Sequence, residues 1–109
     1  LEQLDLYSPE FIRAELNKYL PLIIEKVGRT ESDARLALAI ILSKIRILPF
    51  TEYEQFITEA LKLSPDSNDA EYFAVCLLKN CPLWSNDKLL KSQADVKVLS
   101  TSDILQLFS

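Results

Sequence analysis

An all-α fold, built of antiparallel helical hairpins that stack or bundle, is what this chain predicts, and three observations predict it. One Gly and five Pro among 109 residues suit helices, because sandwiches and barrels place Gly in their tight turns. Apolar residues recur at helical spacing over long stretches. The chain also resembles itself: Asp33-Ala34 and Asp69-Ala70 coincide at an offset of 36 residues, and Ile41 with Leu77 and Leu42 with Leu78 follow in step. A two-helix unit therefore occurs twice, and Ser102-Asp103 begins a third.

Each element has its own reason. Ser8-Pro9-Glu10 offers a capping hydroxyl, a preset φ and an acid near the positive helix end, so a first helix is expected from there to Val27. Its apolar face is Ile12, Leu16, Tyr19, Leu20, Ile23 and Val27, with a kink or break expected near Pro21. Gly28, the single glycine, suits a left-handed cap. Thr30 to Asp33 caps a second helix, Asp33 to Ile45, with Ala34, Ala37, Leu38, Ile41, Leu42 and Ile45 on one face and Pro49 closing it. Leu36, Ala39 and Ile40 make that helix apolar behind as well. Thr51-x-x-Glu54 reads as a capping box for a third helix with Phe56, Ile57, Ala60 and Leu61 inward. Ser64 to Asn68 is a turn, and a fourth helix runs from Asp69 to Cys81, burying Ala70, Phe73, Ala74, Leu77, Leu78 and Cys81 until Pro82 stops it. Ser85-Asn86-Asp87 caps a short helix over Lys88 to Ser92. Val96 to Leu99 is extended or loop, and Ser100 to Asp103 caps an apolar segment of Ile104, Leu105, Leu107 and Phe108, whose apolar surface should pack back on the second unit or on another copy.

The stretch from Leu20 to Ile45 resembles a HEAT repeat. Pro21, Leu22, Ile23, Val27, Asp33, Ala34, Arg35, Ala37, Ala39, Leu42, Ser43 and Ile45 fall on that family's pattern. The second unit, Phe56 to Cys81, departs from it: Glu71 stands in place of the Arg, Phe73 in place of an Ala, and its first helix has no Pro. The resemblance implies a short HEAT- or armadillo-like α-solenoid segment. Residues 1–109 then form one helical domain with units at 9–48 and 51–82 and a partial unit at 85–109. Leu1 at the start and the absence of Met read as a piece of a longer array.

Composition narrows function. No His and two Cys leave too few ligands for common zinc, haem or iron–sulfur sites, and they exclude Ser-His-Asp and Cys-His catalysis. No cofactor motif is present. Acid pairs such as Glu31 and Asp33, Glu52 and Glu54, or Asp66 and Asp69 lie at helix starts, where the dipole explains them. Cys76 and Cys81, five apart in one expected helix, point to different faces, which argues against an internal disulfide. The longest apolar run, Leu36 to Leu42, is too short to cross a membrane. No secretion signal or glycosylation sequon is present, so a cytoplasmic or nuclear setting is expected.

A formal charge of −4 argues against nucleic acid as a partner, since phosphate binding draws on clustered Lys and Arg. The expectation is a non-catalytic scaffold or adaptor segment that binds another protein or another segment of its own protein, with self-association also open. Partner-binding candidates are the stripe Leu36, Ile40, Tyr72 and Cys76, which repeat alignment sets side by side, and Trp84, an aromatic in a turn. The competing reading is a nucleic-acid-associated helical or winged-helix-like domain of chromatin type, with Val96 to Leu99 as a wing strand. It lacks a Gly-rich wing turn.

Overall fold

Two pairs of parallel strands, and not helices alone, frame the chain. The computed structural model describes residues 5–27 and 30–107 and divides into two compact units, Leu1–Leu48 and Pro49–Ser109. Gly28, Arg29 and Phe108 lie outside the described residues, as do the side chains of Tyr19, Ile23, Lys26, Val27, Ala37 and Ile41.

In the first unit, β1 (Leu6–Pro9) pairs in parallel with β2 (Ile45–Leu48), Leu6 opposite Ile45 and Pro9 opposite Leu48. A parallel pair needs a long crossover, and the packed helices α1 (Ile12–Val27) and α2 (Glu31–Ser43) supply it. Ser8 and Pro9 are buried in β1 and do not start the helix. The Ser8 hydroxyl donates to the Pro9 carbonyl at 3.1 Å. Proline donates no N–H to a ladder, and the last position of a two-stranded edge tolerates that loss. Helix α1 runs on through Pro21 without the expected break. Thr30 does cap α2, its Oγ1 accepting the Asp33 amide at 3.2 Å. Helix α2 ends before Ile45 because Ile45-Arg46-Ile47-Leu48 is drawn into β2, where β-branched side chains are favoured.

The second unit runs α3 (Phe50–Tyr53), a 3-10 turn at Glu54–Phe56, α4 (Ile57–Leu63), α5 (Ala70–Lys79), β3 (Leu83–Trp84), a 3-10 helix at Lys88–Ser92, β4 (Val98–Leu99) and α6 (Thr101–Leu107). The expected capping box at Thr51 is absent: Pro49 precedes α3 and no side chain caps it. Helices α4 and α5 pack together, and the core gathers on Tyr53, Ala60, Phe73, Ala74 and Val98. The Tyr53 hydroxyl donates to the Glu71 carboxylate. Helix α5 stops at Asn80, whose φ of 51° is left-handed, a conformation Asn tolerates better than most residues. Strands β3 and β4 are parallel, Leu83 opposite Val98 and Trp84 opposite Leu99.

The all-α expectation is thereby corrected. The self-similarity at an offset of 36 reflects a helix pair followed by a strand, α1-α2-β2 and then α4-α5-β3, where a solenoid would follow each pair with another pair. Periodicity saw the helices and missed the short strands. The last helix, α6, buries Ile104 and leaves Leu105 and Leu107 exposed, so only one side of the expected apolar segment packs.

Candidate functional site

In an open parallel sheet, ligands bind beyond the carboxyl ends of the strands. At that edge of the second unit, β3 runs into Ser85-Asn86-Asp87, and β4 runs into Ser100 and the start of α6. A cleft of about 270 Å³ opens here, lined by Asp69, Tyr72, Leu83, Trp84, Ser85 and Leu90. Leu83 and Leu90 give it an apolar floor, while Tyr72 and Trp84 offer aromatic faces.

The polar residues at this edge divide their work. Asp66 caps the 3-10 turn at Ser67–Asp69 by accepting the Asn68 amide at 2.9 Å. Asp69 stands at the start of α5 without using its side chain to cap that helix, and it lines the cleft. Asp87 accepts the Leu89 amide at 3.0 Å and so starts the Lys88–Ser92 helix, while its own amide donates to Ser85 Oγ at 3.1 Å. Trp84 is 49% exposed, yet its indole N–H is satisfied, donating to Thr101 Oγ1 at 3.0 Å. Asn86 reinforces that contact: its Nδ2 donates to Thr101 Oγ1 at 3.1 Å and its Oδ1 accepts the Thr101 amide at 2.9 Å. With its one polar atom engaged, Trp84 contributes an apolar ring to the cleft. The start of α6 is fixed by a reciprocal cap, Asp103 N–H to Ser100 Oγ at 3.1 Å and Ser100 N–H to Asp103 Oδ2 at 2.9 Å. Together with the Lys91 ammonium at 3.1 Å, that Ser100 amide holds the Asp103 carboxyl below its usual range.

Carboxylates that hold divalent cations for phosphodiester chemistry come in clusters. Among the described residues no three of Cys, Asp and Glu gather closely enough to hold an ion, and Asp87 has one oxygen committed to the Leu89 amide. The described residues do not make a complete cation site, and no chemical step is derived through a metal.

Of the residues singled out from sequence, Tyr72 and Trp84 meet in this cleft. Cys76 lies in the same helix as Tyr72 but is buried, 5% exposed, while Leu36 and Ile40 stand on α2 in the first unit, 63% and 51% exposed. Asp69 and Ser85 are what the sequence reading missed. The signal was present, because a carboxylate opening one helix and a Trp-Ser-Asn-Asp run after Leu83 sit where strand ends would place a ligand.

A family model described as PIN domain matches residues 1–108. No curated protein and no solved structure gives a significant match. The chain belongs to the PIN-domain family, whose fold is α/β. That membership overturns the HEAT/armadillo resemblance. PIN domains are typically nucleases of RNA or DNA, so the expectations of a non-catalytic protein-binding scaffold, of no enzyme, and of nucleic acid as an improbable partner are corrected with it.

Proposed function

Taking that membership as the premise, we propose that the chain acts on RNA or DNA as a nuclease-type domain, with the cleft at the carboxyl edge of β3 and β4 as its substrate site. The observation that carries this is the meeting of Asp69, Ser85 and Trp84, whose indole N–H is held by Thr101, in one cleft. An unpaired base stacks on an indole at about 1–3 kcal/mol, whatever its sequence. The base so held brings its flanking phosphates towards the Ser85 hydroxyl and the Asp69 carboxylate. The Ser85 hydroxyl donates to a phosphate oxygen, and Asp69 accepts the proton of an attacking water, whose oxygen bonds to phosphorus as the P–O bond to one sugar oxygen breaks and that oxygen leaves protonated as an alcohol. A negative protein binds a polyanion poorly through its backbone alone, and stacking supplies the missing affinity. Single-strand binding then falls only gently with salt, with a slope near −0.7 for each phosphate neutralised.

Trp84 is the one tryptophan, so its emission reports the site directly. Adding a short oligouridylate or oligoadenylate should quench it, a hairpin duplex should not, and a labelled oligonucleotide should be cut by the parent chain but not by Asp69→Asn at equal stability, tested with and without added magnesium. A chain that neither quenches with single strands nor cuts them sinks this reading.

A further inference from the structure

At the opposite end of α5 from Asp69, a second cleft of about 250 Å³ is lined by Cys76, Cys81, Asn80, Asp95, Val96 and Lys97. Were α5 continuous, residues five apart would point to different sides. Asn80 changes this: in its left-handed conformation the chain doubles back, and the Asn80 and Cys81 amides both reach the Cys76 carbonyl, the latter at 3.1 Å. This is a Schellman-type helix end, in which the second residue past the helix packs on the residue five before it, in the last turn. Here those two residues are both cysteines, and both line the one cleft.

We propose that Cys76 and Cys81 form a reversible disulfide when the protein meets a peroxide, and that this modification site staples the end of α5 to the segment entering β3. The roles differ by environment. Cys76 is buried, its thiol pushed far up by desolvation. Cys81 is only half-buried, and burial raises its thiol far less than that of Cys76. Cys81, the more accessible of the two, is the sulfur that attacks hydrogen peroxide, as its thiolate. The O–O bond breaks, one oxygen remains as a sulfenic acid on Cys81, and the other takes up protons and leaves as water. The Cys76 sulfur then attacks the Cys81 sulfur, the S–S bond forms, the S–O bond breaks and a second water departs. In sum, two thiols and one peroxide give one disulfide and two waters. The bond ties the helix that begins at Asp69 to the strand that ends at Trp84, so oxidation stiffens the frame of the first cleft. It stands on the turn at Asn80 and the shared cleft, and does not depend on the nuclease reading.

The test treats the 109-residue protein with equimolar hydrogen peroxide and follows intact mass and alkylation. The expected product is a monomer lighter by two hydrogen atoms that takes no iodoacetamide, regains two reactive thiols with dithiothreitol, and melts higher than the reduced form. Cys76→Ser should accumulate a dimedone-reactive sulfenic acid at Cys81, which separates the attacking from the resolving thiol. Should that buried substitution fail to fold, Cys81→Ser, at the half-buried position, should keep the fold and lose the fast reaction. A monomer that retains both thiols, or that yields only sulfinic acid or cross-linked dimers, overturns the proposal.

Discussion

The two units repeat one local order, a packed helix pair followed by a strand, but each completes its sheet in the opposite direction along the chain. In the first, β2 pairs with β1, which lies upstream of the helices, and in the second β3 pairs with β4, which lies downstream. Strand β2 runs into Pro49 and β1 into Glu10, whereas β3 runs into Ser85-Asn86-Asp87 and β4 into the cap of α6. Parallel pairing alone therefore does not make a site. At the second unit's strand ends, capping side chains and the Asp69 carboxylate at the start of α5 come together around a cleft.

Substitutions sharpen this contrast. The largest effect is expected in the core of the second unit: Phe73, fully buried, should lose about 3–5 kcal/mol on Phe73→Ala, read as a shift of the urea midpoint of Trp84 emission. Tyr53→Phe removes a hydrogen bond to the Glu71 carboxylate and should cost about 1.5–3 kcal/mol, measured in the same way. At the start of α6, Ser100→Ala removes a cap and should cost about 1 kcal/mol. The first unit's exposed pair Arg35 and Glu31, 2.9 Å apart, supplies the smallest effect, about 0.3–0.5 kcal/mol on Arg35→Ala and less in high salt. A larger loss there than at Ser100 would reverse the ranking.

Acid titrates the α6 cap in a definite direction. The Asp103 carboxyl is held low when folded, by the Ser100 amide first and then by Lys91. Its contribution is thus present above the unfolded value of about 3.9 and is lost as pH falls through the folded one. Amide exchange at Ser100 should speed up below that range, and Asp103→Asn should remove the pH dependence.

Much of the helical content was legible because it is periodic. Thr30, Asp87 and Ser100 cap as their residue types predict. Strand β4 lies within Val96 to Leu99, read as extended or loop, while β2 and β3 were illegible for physical reasons: Leu83–Trp84 is two residues long, and Ile45–Leu48 continues the apolar spacing of α2 until its pairing with β1 decides otherwise. At the site, Tyr72 and Trp84 stood out as aromatics. Asp69 was hidden among acids that helix dipoles explain, and only the structure shows Asp66 doing the capping. The Cys76 and Cys81 pair was hidden by the assumption of an unbroken helix, which the left-handed Asn80 ends.

The registers of the two sheets also carry a consequence in time. Leu6 meets Ile45 across 39 positions of chain, by subtraction, and Leu83 meets Val98 across 15. Closing the longer loop costs about 0.8 kcal/mol more entropy, and non-local pairing slows folding beyond what stability would suggest. After dilution from urea, Trp84 emission should therefore recover before amides in β1 and β2 gain protection in pulsed hydrogen exchange. The edge that carries the cleft would take shape while the first strand still searches for its partner.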